Sequence, residues 1–295
     1  GFHVGASGYY FDDWVGRFNP PRATKRQHSE MTAGQREDQD RLRFYQRYFS
    51  FVEINNTFYR EPDIANFLDI ERRSKPSMKY AVKVHRNISH TKTWDTEIGE
   101  RMMQDHITAV SPLVETGRFF SFLIQLEDRV VRSRKRLEYL LHVADVAVRS
   151  KIDIHIEFRH ISWHEMHPLQ ALKDAGVGIC NTEIPPIRHA FPLKTYATTD
   201  KGYVRYSGRN LDHWYPQQEQ KTSRERTAAR NARYDYLYSE EEVGKRVVGQ
   251  LELGLKVSSL AIAWNNHYNI SAVHNAIVNV NLLKEKLANQ LKTEG

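Results

Sequence analysis

Residues 153–163 read Asp-Ile-His-Ile-Glu-Phe-Arg-His-Ile-Ser-Trp. Ile154, Ile156 and Phe158 alternate with His155, Glu157 and Arg159, the period-two signature of a strand with one apolar and one ionisable face. A helix-like stretch, Trp163–Ala175, follows directly, with Ser162 and Glu165 spaced as a capping box at its start. The unit is therefore a strand leading into a helix, and its polar face points somewhere other than the helix layer.

Working outward, the same unit recurs along all 295 residues. Strand-like runs fall at Phe2–Ala6, Phe51–Asn55, Tyr80–Val84, Phe119–Gln125, Asp153–Phe158, Val177–Asn181, Tyr203–Tyr206 and Leu260–Trp264. Helix-like stretches fall at Asp38–Tyr48, Ile64–Arg73, Glu97–Leu113, Arg134–Val148, Trp163–Ala175, Glu240–Gly254 and Ser271–Lys292. Ser239 with Glu242 forms a second capping box. No clear helix separates the sixth strand from the seventh. Eight alternating units in a chain of this length predict an α/β fold, a TIM-type (β/α)8 barrel, in a single domain. A doubly wound open sheet is the runner-up, but no G-x-G-x-x-G follows the first strand. Two polar insertions are expected, near 21–40 and near 217–233. The latter carries five Lys or Arg against two Glu.

Composition narrows the function classes. Hydrophobic residues are 40%, aromatics 11% and charged residues 27%, a globular balance with a formal net charge of +7. There is no apolar run of spanning length, so no membrane partner is expected. No signal peptide is visible, and the lone Cys180 excludes an internal disulfide and any Cys-based zinc site. A reducing, cytoplasmic setting is the expectation. The 14 His are mostly scattered over loops without a ligand triad. No cofactor is predicted, and a metal stays a minor alternative.

In a barrel, inward residues at the carboxyl ends of the strands build the active site. Reading inward parity from the polar residues selects Glu53 and Asn55 on strand two and Lys83 on strand three. It adds Gln125 on strand four, Glu157 and Arg159 on strand five, and Asn181 on strand six. Arg205 lies on strand seven, and Asn265 and Asn266 on strand eight. These are expected to converge in one mouth. Glu53 and Glu157 face each other and are the catalytic candidates, since two carboxylates in different surroundings divide into acid and base. Hydrolase or lyase chemistry would follow. Lys83, Arg159 and Arg205 favour an anion, because guanidinium donors form a rigid fork for oxyanions. Arg205→Ala is expected to abolish anion binding and leave the fold intact. Tyr59, His90, Trp163 and Tyr215, just after strand ends, complete the ligand-binding set. The rival reading is that the same charges are buried Glu–Arg and Glu–Lys pairs closing the barrel.

The segments GASGYYFDDWVGRFNP (5–20), FVEINNTFYREP (51–62), KYAVKVHRNISH (79–90), IEFRHISW (156–163), YVRYSGR (203–209) and WNNHYNISAVHNA (264–276) resemble, in this order, the YecE-like family, also called domain of unknown function 72. The resemblance implies a TIM-type barrel. Proposals for that family include a likeness to endonuclease IV-type barrels and DNA binding. The sequence departs from the family pattern in three places. Gln125-Leu126-Glu127-Asp128 stands for Q-x-P-P, Arg205-Tyr206-Ser207-Gly208 for R-x-H-G, and Asn181 for an aspartate. The expected partner is a small anionic or phosphate-bearing ligand. The alternatives are weak, nonspecific nucleic-acid binding through the basic runs at Arg129–Arg136 and 217–233, and a catalytically silent binding module. Oligomeric state is not legible in the sequence.

Overall fold

The computed structural model describes residues 1–215 and 222–293. Eight parallel strands close on themselves in sequence order. They are β1 (Phe2–Ala6), β2 (Phe51–Ile54), β3 (Lys79–Lys83), β4 (Phe119–Gln125), β5 (Ile154–Glu157), β6 (Gly178–Glu183), β7 (Lys201–Tyr206) and β8 (Ser259–Trp264). Around them run the helices α1 (Lys25–Glu30), α2 (Ala33–Gln39), α3 (Arg41–Tyr45), α4 (Ile64–Arg73), α5 (Arg86–Ser89) and α6 (Thr96–Glu115). The chain continues with α7 (Arg134–Arg149), α8 (Met166–Asp174), α9 (Ser223–Ala232), α10 (Glu240–Gly254) and α11 (Ser271–Thr293). The expected TIM-type (β/α)8 barrel is thus the observed architecture. No described helix is long and apolar enough to cross a membrane.

Period-two alternation divides the barrel into two cores. Val52, Ile54, Val82, Ile124, Ile154, Ile156, Val204 and Ile262 pack outward against the helices. Phe51, Ala81, Phe120, Leu123, Cys180, Tyr203, Ala261 and Ala263 fill the interior. Three of these eight, Phe51, Phe120 and Tyr203, are aromatic and pack edge to face on one another, forming an aromatic plug in the barrel interior. Above it the inward positions turn polar.

Closure between β1 and β2 is tight. A methyl on Gly5 would lie 1.8 Å from the Phe51 carbonyl oxygen. Tyr45 bridges the pair, its hydroxyl accepting from Ala6 N at 2.7 Å and donating to Phe51 O at 2.8 Å.

Local expectations are corrected in two places. The helix expected over Asp38–Tyr48 is two helices, broken at Asp40, whose carboxylate accepts from the backbone N–H groups of Leu42 and Arg43 and so starts α3. The polar segment near 21–40 holds α1 and α2, each opened by a Thr–Gln capping box. Ser162 caps no α-helix. It sits in a 3-10 turn, Ile161–Trp163, and α8 begins only after Glu165. The Ser162 hydroxyl instead accepts from Arg132 N at 2.8 Å, tying the loop after β4 to the loop after β5. The Ser239–Glu242 capping box forms as expected. The basic stretch at 217–233 lies partly outside the described residues, and its remainder forms α9.

Candidate functional site

The inward faces of β2, β5 and β7 meet above the aromatic plug. Glu53 follows Phe51, Glu157 follows His155, and Arg205 follows Tyr203, each two residues on and therefore on the same face. Arg205 is 1% exposed and lies between the two carboxylates. It grips Glu53 with two bonds, Nε to Oε2 at 2.7 Å and Nη2 to Oε1 at 2.8 Å. Its Nη1 donates to Glu157 Oε2. The second oxygen of Glu157 accepts from Arg159 Nε at 2.6 Å, and the Tyr203 hydroxyl donates to Glu53.

The electrostatics follow from this chain of contacts. Burial alone would raise the Glu157 carboxyl, but Arg159 and Arg205 outweigh it and bring the group down to about 2. Burial opposes the Arg205 charge, and Glu157 and Glu53 together raise its pKa well above the ordinary value. Both carboxylates are therefore committed to guanidinium partners, and Arg205 is committed to both. The Glu–Arg pairs of the rival reading are present in this layer, while no Glu–Lys pair forms there among the described residues. An Arg205 whose removal spares the fold does not fit this layer.

Above this layer opens a cavity of about 700 Å³, lined among others by Lys83, His90, Gln125, Arg159, Trp214, Tyr215 and Arg233. Lys83, at the end of β3, donates to Gln125 Oε1 at 2.8 Å and sits 3.9 Å from the centre of the Phe58 ring. Among the described residues no carboxylate forms an ion pair with it. Burial first, then the charges of Arg205 and Arg159, brings its pKa down to about 7. Burial also lowers His90 to about 4, with Lys83 and Arg159 contributing, so its imidazole is neutral at pH 7. Five cationic side chains, Lys83, Arg129, Arg159, Arg188 and Arg233, line the cavity against the carboxylates of Glu127 and Asp128.

Arg159 is the hinge between the two levels. Its Nε is held by Glu157, and its guanidinium lies 5.5 Å from the Trp214 ring centre. Its buried Nη2 has no hydrogen-bond partner among the described residues. Trp214 is fixed by its indole N–H to Asp128 Oδ2 at 2.8 Å, and the Arg233 guanidinium covers it at 5.2 Å.

The remaining sequence candidates divide by parity and depth. Asn55 lies in a neighbouring cavity of about 720 Å³ over β1 and β2, with Ser7, Glu53 and Tyr59. Tyr59 borders both cavities. Asn265 donates to Ser207 Oγ at 3.1 Å on the rim. Like Asn265, three further candidates line neither cavity. Asn181 points outward: its side chain exchanges two hydrogen bonds with the backbone of Tyr196, while Cys180 belongs to the inner core. Asn266 ties Tyr236 O to Asn275. Trp163 is fully buried, stacked 4.5 Å from Phe158, and donates to Val130 O at 2.7 Å. Their polar atoms anchor loops and helices to the barrel.

Other residues join the site beyond the expected set. Tyr203 shares the Arg205 face by parity alone. Trp214 and Arg233 come from the long connection after β7, where an aromatic pair and a basic run were the visible signals. The basic run at Arg129–Arg136 is largely paired: Arg129 with Glu127, Arg132 with Glu165 and Arg134 with Glu138. Among the described residues no group of three His, Cys, Asp or Glu is placed to hold a metal ion.

Comparison with known proteins agrees with the barrel. A crystal structure of a DUF72 family protein from Thermotoga maritima is similar over 96% of this chain and 99% of that chain, with 27% identity and a TM-score of 0.76. One from Enterococcus faecalis covers 96% of this chain and 95% of its own, with 20% identity and a TM-score of 0.77. No curated protein matches the chain. The family model described as "Protein of unknown function DUF72" matches residues 3–294, and the chain therefore belongs to the DUF72 family.

Proposed function

We propose that the protein binds a small anionic ligand, a phosphate- or carboxylate-bearing molecule, in the cavity between Lys83, Arg159 and Arg233. The observation that carries this reading is the Arg159 guanidinium, whose Nε is committed to Glu157 while its buried Nη2 lacks a protein partner. A buried donor without an acceptor is unfavourable by about 1–3 kcal/mol, more when charged. An oxyanion on that nitrogen would remove the penalty and complete the fork. The cationic excess on the walls supports the same choice. In this reading Glu53 and Glu157 fix Arg205 and Arg159 in place rather than transferring protons. Arg205 acts from beneath, as a charge that is not itself presented to the cavity.

A cavity of about 700 Å³ suits a small ligand rather than a nucleic-acid strand, and much of the Arg129–Arg136 run is already paired. Thermal unfolding with phosphate, sulfate and simple carboxylates tests the proposal, since a ligand that binds only the folded state raises the melting temperature by mass action. Phosphate is expected to stabilise the wild type, and Arg159→Gln to remove that stabilisation. No response of the wild type to any of these anions would overturn the reading.

A further inference from the structure

Lys83 stands apart from the other charged groups of the barrel mouth. Arg205, Arg159, Glu53 and Glu157 are joined to one another. Lys83 is joined to a neutral amide, Gln125. Around it lie the face of Phe58, the neutral His90, and the charges of Arg205 and Arg159, which oppose a further positive charge and outweigh the more weakly felt Glu53 and Glu157 carboxylates. It projects from the carboxyl end of a barrel strand into a cavity large enough for a small metabolite. A lysine desolvated next to other cations is the arrangement that leaves an amine neutral and nucleophilic at physiological pH.

We propose that Lys83 forms an imine with a small carbonyl compound carrying a carboxylate or phosphate. The inference rests on the anion-binding reading above, in which the charged arm of the ligand lies on Arg159 and its carbonyl group reaches Nζ. The Lys83 Nζ lone pair attacks the carbonyl carbon, the C–N bond forms, and the carbonyl electron pair moves onto oxygen. One amine proton passes to that oxygen to give the carbinolamine. The second leaves with the hydroxyl as water, giving the C=N bond. No oxidant, reductant or metal enters the balance. Gln125 acts as a positioning residue, because its Oε1 accepts one Nζ–H and so aims the lone pair.

Borohydride trapping tests the proposal, since it adds hydride to the imine and leaves a stable secondary amine. The full chain is incubated with pyruvate or with dihydroxyacetone phosphate, reduced, and analysed by intact mass and peptide mapping. At pH 7 the neutral fraction of an amine with a pKa near 7 exceeds that of an ordinary lysine by roughly a thousandfold. The lower intrinsic nucleophilicity of a weaker base offsets part of this, so labelling of Lys83 at least about tenfold faster than of any other lysine is expected. Excess inorganic phosphate should suppress it, and Lys83→Arg should abolish it. No adduct at Lys83 with either compound, or labelling no faster than at surface lysines, overturns the proposal. Thermal shifts with phosphate on wild type and Lys83→Arg separate the two readings. A shift without an adduct defeats the imine alone. No shift in the wild type, with an adduct that phosphate does not displace, defeats the anion site alone.

Discussion

Replacing Arg205 by Met removes the one guanidinium that joins the two buried carboxylates while keeping most of the side-chain volume. Arg205 makes two bonds to Glu53 and one to Glu157. Without it Glu157 keeps Arg159, but among the described residues Glu53 keeps only the hydroxyl of Tyr203. Breaking a buried pair from one side generally destabilises a protein by about 3–5 kcal/mol, because the remaining charge stays buried without compensation. That is a large share of the roughly 5–15 kcal/mol that keeps a domain folded. Urea unfolding followed by far-ultraviolet circular dichroism would read the loss as a lower midpoint.

The pH dependence carries a further sign. The Glu157 carboxyl is held at about 2, below its unfolded value. Its stabilising contribution is present above about pH 4.3 and is lost as the pH falls towards 2. The variant has less of it to lose, so the gap between wild type and Arg205→Met narrows on acidification. The double variant Glu53→Gln with Arg205→Met removes the uncompensated charge and should be more stable than Arg205→Met alone. A single variant within about 1 kcal/mol of wild type at neutral pH, or a double variant less stable than the single one, would refute the reasoning.

Three further outcomes are expected. Stabilisation by sulfate, which keeps its charge across the range, should fall as the pH rises through about 7, because Lys83 loses its proton among Arg159, Arg205, Glu53, Glu157 and a neutral His90; thermal shifts that stay flat from about pH 6 to about pH 9 would contradict this. Asn181→Ala removes the bonds to Tyr196 and should lower stability by about 1–3 kcal/mol, read by urea unfolding, while leaving the sulfate response unchanged. Gly5→Ala places a methyl 1.8 Å from the Phe51 carbonyl and should reduce soluble yield and lower the melting temperature, since β1 and β2 cannot both keep their backbone positions.

The barrel was legible because its signal is local. Ile154, Ile156 and Phe158 alternate with His155, Glu157 and Arg159 within a few residues, and a helix follows most such runs, β6 excepted. Parity then placed Glu53, Lys83, Gln125, Glu157, Arg159 and Arg205 on inward faces without knowledge of their neighbours. It failed at β6, where Gly-Ile-Cys-Asn-Thr-Glu offers small or polar residues on both faces and no contrast to read. Parity there points Asn181 inward, whereas Cys180 is the inner residue. The helix over Asp38–Tyr48 failed for a related reason: Asp40 is tolerable inside a helix by composition, and only its side-chain bonds to the next turn reveal a new start.

Outside β6, sequence alone thus determined the charged side chains that look into the barrel, because strand periodicity is a property of consecutive residues. Which of them pair, and which remain open to a ligand, was decided only by the tertiary structure. Glu53 and Arg205 are separated by 152 residues, and nothing local distinguishes Arg205, locked between two carboxylates, from Arg159, which keeps a donor unpartnered, or from Lys83, left with an amide. Those differences arise from strand order, closure and register, which set the height and spacing of each inward side chain. Trp214 and Arg233 enter by the same route, through a long connection whose path over the mouth depends on packing rather than on periodicity. The physical reason is range: backbone geometry orients a side chain from its nearest neighbours, whereas the pairing of charges across a barrel depends on distances that exist only once all eight strands have closed.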